Sequence, residues 1–208
     1  MILLYQFLFL ILTYFISAIP FGLLLSKLYS DVDIREVGSK NIGATNVTRI
    51  LGKKLGFFTL ILDGLKGALM VILARFNFSE VSYLHLFLAA VSAVAVLGHI
   101  YPVYLKFKGG KGVATAIAVL FAIDFNVGFL TLCFWIIIFC FFRISSIASI
   151  VAIFSSIILS NHYEAPLSQI LLCWFLAILI LIRHKENITR LIIGQEKSFA
   201  SNHNKNSS

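Results

Sequence analysis

Long apolar runs, separated by short polar or glycine-bearing stretches, dominate the chain. A bilayer crossing needs ~20 mostly apolar residues, with ~17 as a lower limit. Residues 2–25, 55–73, 84–104, 126–142 and 167–182 stand out as candidate spans. Two further runs are marginal: 113–123, and 144–159, which is short and Ser-rich. Eleven residues at 1.5 Å rise cover only ~17 Å, so 113–123 must borrow the glycines before it, tilt little, or fail to cross. The first run has no basic n-region and no convincing small-x-small site before Pro20. It therefore reads as a retained span and not as a removed signal peptide. The pattern predicts an all-α polytopic membrane protein, with one transmembrane domain over 1–197 and a polar, disordered tail over 198–208.

Composition agrees. Of 208 residues 60% are hydrophobic and 12% charged, against about half and a quarter in a soluble domain. The formal net charge of +8 does not point to nucleic acid, because a DNA-binding face needs a folded soluble surface to carry it. Topology accounts for it instead. With seven spans and the N-terminus outside, the inner face receives Lys27, Arg35, Lys40, Arg49, Lys53, Lys54, Lys106, Lys108, Lys111, Arg143, Arg183, Lys185, Arg190, Lys197 and Lys205. The outer face receives Arg75 with the acids Glu80, Asp124 and Glu164, while Asp63 and Lys66 fall inside the second span. That asymmetry is the positive-inside rule, and even-numbered span models scatter it. The three cysteines, Cys133, Cys140 and Cys173, sit in apolar runs without a second ligand nearby, so neither disulfides nor a metal site is expected.

The same topology puts every long polar, glycine-rich segment (29–54, 106–112 and 184–196) on the inner face. A transporter or lipid-headgroup-binding protein, the rival class, would more often need polar groups at mid-membrane or on both sides. In the first segment Gly38 and Gly43 flank Ser39, Asn41, Thr45 and Asn46. Such a stretch can fold into a concavity of N–H donors that holds phosphate. Residues 38–45 come close to a nucleotide-binding loop, but Ala44 stands where its lysine must be, which argues against an NTPase. In the second segment, Lys106, Lys108 and Lys111 surround Gly109, Gly110 and Gly112, a cationic patch suited to a phosphate or to anionic headgroups. His99, at the end of a span, is open to a structural or a catalytic role. In the third, His184 and Asn187 are three apart and share a helix face. Ser146 and Ser149 are also three apart, and either pack small against a neighbouring helix or meet substrate. Asp63 and Lys66, one helical step apart in lipid, are expected to pair. No His is followed five positions later by Asp, and no G-x-S-x-G occurs, so neither the common acyl-CoA acyltransferase signature nor a hydrolase elbow is present.

Five ordered motifs carry a resemblance: S-x-x-P at Ser17 and Pro20, G-S-x-N-x-G-A-T-N-x-x-R over 38–49, D-x-x-K-G over 63–67, G-H-x-Y-P with G-G-K-G over 98–112, and H-x-x-N-I-x-R-L-x-x-G-x-E over 184–196. Together they resemble the bacterial membrane acyltransferases that use acyl phosphate to acylate glycerol 3-phosphate. The resemblance implies a seven-span inner-membrane protein with a cytosolic site. It implies transfer of the acyl group to the 1-hydroxyl of glycerol 3-phosphate, giving lysophosphatidic acid and phosphate as the first step of phospholipid synthesis. No cofactor or metal is implied. The implied partners are the two substrates and membrane lipid, with the chain a monomer working beside an acyl-phosphate-producing enzyme.

On that basis Ser39, Arg49, Lys111, His184 and Asn187 are the expected catalytic set. Gly38, Asn41, Gly43, Thr45, Asn46, His99, Gly109, Gly110 and Ser149 are the expected substrate-binding set. An acyl phosphate is already activated, so positioning and charge stabilisation suffice. No carboxylate in these loops is clearly placed as a base, which leaves the acyl phosphate's own phosphate oxygen, with His184 as the rival. One position departs from the family pattern: Lys40 stands where a glycine is usual. A lysine there is strained if the backbone needs φ > 0, although its charge suits an anion site.

Overall fold

A computed structural model of the chain describes residues 1–199. The described residues are helical: α1 (Ile2–Ser17), α2 (Phe21–Tyr29), α3 (Ala44–Leu51), α4 (Lys53–Asn77), α5 (Leu84–Ile100), α6 (Val113–Ile123), α7 (Phe125–Phe142), α8 (Ser145–His162), α9 (Leu167–Arg183) and α10 (Lys185–Ile192), with one 3-10 turn at Val103–Leu105. The expected run 2–25 forms two helices that break at Pro20, whose ring removes the N–H that a continuous helix needs. The Ser-rich marginal run forms the full 18-residue α8. Three of its serines return their hydroxyls to the helix backbone, Ser149 to the carbonyl four residues earlier and Ser155 and Ser156 to those three residues earlier, so they cost little in an apolar medium.

Five helical segments are long and apolar enough to cross a bilayer, or six if α9 and α10, bent by 59°, count as one. Helix α6 keeps the 11 residues its apolar run allowed. Its end is tied down by Arg75, whose guanidinium donates to the carbonyls of Ala122 (3.0 Å) and Ile123 (2.8 Å). Asp124 then accepts from the N–H groups of Asn126 and Val127 and caps α7, an N-cap that starts the next helix at once.

The surface is inverted relative to a soluble protein. Large apolar side chains such as Phe7, Phe57, Leu65, Ile137 and Phe141 are exposed, while Thr13, Thr59, Ser92, Thr115, Ser156 and Ser160 are buried. That is the distribution expected where lipid is the solvent and small polar residues let helices close. The main core joins α4, α5, α6, α8 and α9 through Met70, Val71, Val91, Ala95, Leu120, Ile153, Leu176 and Ile180. At Gly67 a Cβ would stand 2.7 Å from Thr115 Cγ2, so α6 lies directly on α4.

A second, small apolar cluster of Leu23, Ile34, Ile42 and Val47 sits beneath the segment linking α2 to α3. It pins that polar segment against the helix ends, which is what builds the site. Of the tail expected over 198–208, Ser198 and Phe199 are held against Arg143 and the remainder lies outside the described residues.

Candidate active site

Sequence-distant polar segments converge on one cavity of about 280 Å³. The 38–49 segment forms its first wall. Ile34 is fully buried, and the Asn46 side chain organises the loop above it. Its Oδ1 accepts the Ser39 N–H (2.9 Å), and its Nδ2 donates to the carbonyls of Ile34 (3.1 Å), Val37 (3.1 Å) and Asn41 (3.0 Å). Asn46 therefore lines the cavity while spending both ends of its amide on loop backbone. Gly38 is left-handed at φ +64, and a Cβ there would overlap Asn46 Oδ1. Ser39, Asn41, Gly43, Thr45 and Arg49 line the cavity with it. Asn41 Oδ1 accepts the Gly43 N–H (2.8 Å), and Thr45 Oγ1 lies 3.1 Å from Ser145 Oγ. Gly38 itself faces a smaller adjoining recess, of about 100 Å³, bordered by Ser39, Arg49, Arg190, Glu196 and Lys197. Lys40 adopts a left-handed φ of 57, the region that strains a non-glycine residue; its side chain is not part of the cavity wall.

The 98–112 segment contributes differently. Gly109 and Gly110 do not line the cavity. They fold the chain back on the end of α5 through hydrogen bonds to the carbonyls of Ile100 (3.1 Å) and His99 (3.2 Å), and a Cβ on Gly110 would overlap His99 Nε2. The consequence is that Lys111 turns inward. His99 is buried with Nδ1 3.6 Å from Asp63 Oδ1. Asp63 in turn accepts from Lys66 Nζ at 2.8 Å, and Lys66 also donates to the Ile19 carbonyl at 2.7 Å, where the α1–α2 break exposes it. The expected Asp63–Lys66 pair thus exists. It braces the floor of the cavity, which Asp63 and His99 line.

The third wall comes from the bend at His184. His184 Nδ1 lies 2.8 Å from the Ile180 carbonyl. A carbonyl only accepts, so Nδ1 carries the proton and the neutral ring keeps its Nε2 lone pair. Burial, reinforced by the nearby Lys111 charge, lowers the His184 pKa to about 4. Lys111 Nζ donates to Asn187 Oδ1, and burial with Arg190 and Arg49 nearby lowers its pKa to about 8, against the opposing pull of Glu196. Asn187 Nδ2 donates to Glu196 Oε1 (2.5 Å), which also accepts from Ser146 Oγ (2.9 Å), while Glu196 Oε2 accepts from Arg190 Nε (2.8 Å). Partial burial works against the Glu196 charge, but the donors from Asn187, Arg190 and Ser146 outweigh it and hold its pKa below the usual range.

Two carboxylates line the cavity, Glu196 from the third segment and Asp63 from α4. Both are ion-paired, so neither offers a free base. Glu196 reaches the site because the chain reverses after α10 at Gly194, whose φ is 67, with the Gln195 and Glu196 N–H groups donating to the Arg190 carbonyl, a geometry its place in the linear motif does not reveal. Sequence reasoning also passed over Ser145 and Trp135. Trp135 Nε1 donates to Ser149 Oγ (3.1 Å), and Ser149 donates to the Ser145 carbonyl (2.7 Å). Leu60, Ile117, Leu132 and Ile136 complete an apolar side of the same cavity.

Cations, loop amides and a neutral histidine at the polar end of a cavity whose other side is hydrocarbon define a helical membrane protein built to bring phosphate groups to a lipid-like chain. The sequence model of glycerol-3-phosphate acyltransferase matches residues 7–194, and the chain belongs to that family, of the PlsY type. It is 42% identical over 194 residues to the glycerol-3-phosphate acyltransferase of Wolbachia pipientis subsp. Culex pipiens, covering 93% of this chain and 98% of the relative. To the protein of that name from Aquifex aeolicus it is 42% identical over 189 residues, 91% and 96% of the two chains. Two crystal structures of PlsY (YgiH), an integral membrane glycerol 3-phosphate acyltransferase, share the fold. The glycerol 3-phosphate form superposes with a TM-score of 0.88 at 40% identity, covering 94% of this chain and 96% of that one. The lysophosphatidic acid form gives 0.86 at 39%, covering 94% and 95%.

Proposed function

We propose that this glycerol-3-phosphate acyltransferase takes its acyl group from an acyl phosphate and passes it to the 1-hydroxyl of glycerol 3-phosphate. The hydroxyl oxygen bonds to the acyl carbon, the bond from that carbon to the bridging phosphate oxygen breaks, and lysophosphatidic acid and phosphate leave. The observation that carries this reading is the convergence of Arg49 and Lys111 with the 38–46 loop on a cavity that has an apolar side wall. Two phosphates need cations and N–H donors, and an acyl chain needs the wall. The serines around the site do not form a nucleophile–base pair: Ser149 donates to a backbone carbonyl and Ser146 to the ion-paired Glu196. Direct transfer follows, with positioning and charge stabilisation as the source of rate.

In this scheme the Ser39–Thr45 stretch cradles the acyl phosphate, Arg49 and Lys111 clamp phosphate, and His184 and Asn187 orient glycerol 3-phosphate near Ser149. Asn46, Gly38, Gly109, Gly110 and His99 hold that arrangement in shape. The attacking hydroxyl passes its proton to a phosphate oxygen of the donor, the His184 lone pair accepting a hydrogen bond from glycerol 3-phosphate. The topology that fits the charge distribution has seven crossings, counting α6, with the N-terminus outside and the site on the cytosolic side of a bacterial inner membrane. The chain acts there as a single 1–197 domain and as a monomer, supplied by an acyl-phosphate-producing enzyme.

Purified protein incubated with a long-chain acyl phosphate and glycerol 3-phosphate should form lysophosphatidic acid, and acyl-CoA in its place should give none. Product from acyl-CoA alone would overturn the donor, and none from either would overturn the reaction.

A further inference from the structure

Residues 197–199 lie beyond the stretch matched by the family's sequence model, yet they cross the site. The Lys197 carbonyl accepts from Arg49 Nη2 at 2.7 Å, and the Phe199 ring lies under the Arg49 guanidinium, 4.7 Å from its carbon to the ring centroid. Arg49 makes no ion pair or hydrogen bond with a carboxylate among the described residues, although the Glu196 charge is near enough to act on it. Its orientation therefore depends on this segment. The segment is itself fixed. Glu196 anchors it on one side through Arg190, Asn187 and Ser146. On the other, Arg143 adopts a left-handed φ of 54 at the end of α7, and its carbonyl accepts the Phe199 N–H at 2.9 Å and the Ser198 hydroxyl at 3.3 Å. Phe199 packs edge-on against Phe139 at 5.3 Å, and Phe139 stacks on Trp135 at 4.9 Å. An aromatic line thus runs from the Ser149 side of the cavity to Arg49.

We infer that Phe199 is a positioning residue: the 197–199 strap holds the Arg49 guanidinium at the cavity for the phosphate it binds. A planar guanidinium over a ring face loses little hydrogen-bonding capacity at its edge, so the ring can fix the plane while the edge meets phosphate. The assignment of Arg49 to a substrate phosphate rests on the acyl-transfer reading above, so the test has a readout that needs no turnover.

In the full-length protein, the thermal midpoint is measured against rising inorganic phosphate, and KM and kcat for both substrates are measured in parallel. The variants are Phe199→Ala, Phe199→Leu, Phe199→Trp and, as the reference, Arg49→Ala. Losing the ring face should weaken apparent phosphate affinity about fivefold. It should raise KM by the same factor for whichever substrate Arg49→Ala affects, with kcat within about twofold. Phe199→Leu keeps an apolar side chain against Phe139 and should be impaired like Phe199→Ala, whereas Phe199→Trp should restore wild-type values. Wild-type phosphate affinity and KM in both Phe199→Ala and Phe199→Leu would overturn the inference, as would an Arg49→Ala protein that binds phosphate normally. Phosphate affinity that depends on Arg49 and Phe199 in a wild-type protein that makes no lysophosphatidic acid would support the strap and overturn acyl transfer alone.

Discussion

The 38–49 and 98–112 segments look alike in sequence, each polar, basic and glycine-bearing at a membrane face, and the fold uses them in opposite ways. The first turns its own side chains and backbone toward the cavity and holds itself together with the Asn46 amide. The second spends Gly109 and Gly110 on packing against His99 and delivers Lys111 as its charge. Glycine-rich polar stretches beside a membrane are thus of two kinds: one builds the wall of a site, the other is a hinge that aims a side chain into it.

The largest effect that separates them lies at Lys111. Lys111→Met removes the charge the second segment delivers while keeping an unbranched apolar stem. Turnover should fall ~10²- to 10³-fold, the usual loss when a charge-stabilising donor is removed, without a fall in unfolding temperature below about pH 8, because a buried charge is removed. The same residue gives the comparison a pH signature. Its folded pKa of about 8 is below its ordinary value of 10.5, so between those limits the unfolded chain binds the extra proton. Raising pH through about 8 should therefore lower activity, as the cation is lost, while the Lys111 contribution to stability rises. Subtracting the Lys111→Met profile isolates that contribution. Activity that stays level through about pH 8 in the wild type, with the Lys111→Met profile as the reference, would remove the Lys111 charge from its phosphate role.

Next in size is Asn46→Ala, which strips a buried side chain of its bonds to four backbone groups. Leaving such groups unpaired costs ~2–4 kcal/mol in total, and the damage should be local. Hydrogen exchange should speed up over 34–46 and leave 98–112 unaffected. Gly110→Ala is the mirror experiment. Overlap with His99 should cost ~1–3 kcal/mol and loosen the α5 end and Lys111, with 34–46 unchanged. If either substitution disturbs both segments alike, they are one cooperative unit and the contrast drawn between them is wrong.

Much of this was legible in the linear chain because apolar run length, charge side and motif order are one-dimensional signals. They located the long apolar helices, including the 11-residue α6 at its observed bounds, though neither the break at Pro20 nor the short α3 within the polar 29–54 segment, and gathered Ser39, Arg49, Lys111, His184 and Asn187, all of which line one cavity. What stayed hidden depends on angles. The reversal after α10, through Gly194 at φ 67, folds Glu196 back onto Asn187, and a glycine in the linear chain marks a turn without giving its direction. The roles within a motif were equally hidden. Asn41 and Asn46 are the same residue type five apart, and only the fold shows that one amide is committed to four backbone groups and the other to one neighbouring N–H.

Lys40 offers the smallest and cleanest test of how far the first segment's shape is set by its own backbone. It adopts φ 57, where a non-glycine residue carries ~1–2 kcal/mol of strain, and it lies outside the cavity wall. Lys40→Gly relieves that strain but gives the unfolded chain more freedom, which costs ~0.4–1 kcal/mol. The net should be a gain of about 1 kcal/mol or less, a rise of about 2–4 °C in the unfolding midpoint, with KM for both substrates unchanged. Gly38→Ala should move the same midpoint down, because its φ of +64 and the Asn46 oxygen leave no room for a Cβ. A raised KM in Lys40→Gly at unchanged stability would mean that the lysine charge, and not the backbone turn it occupies, is what the site uses at this position.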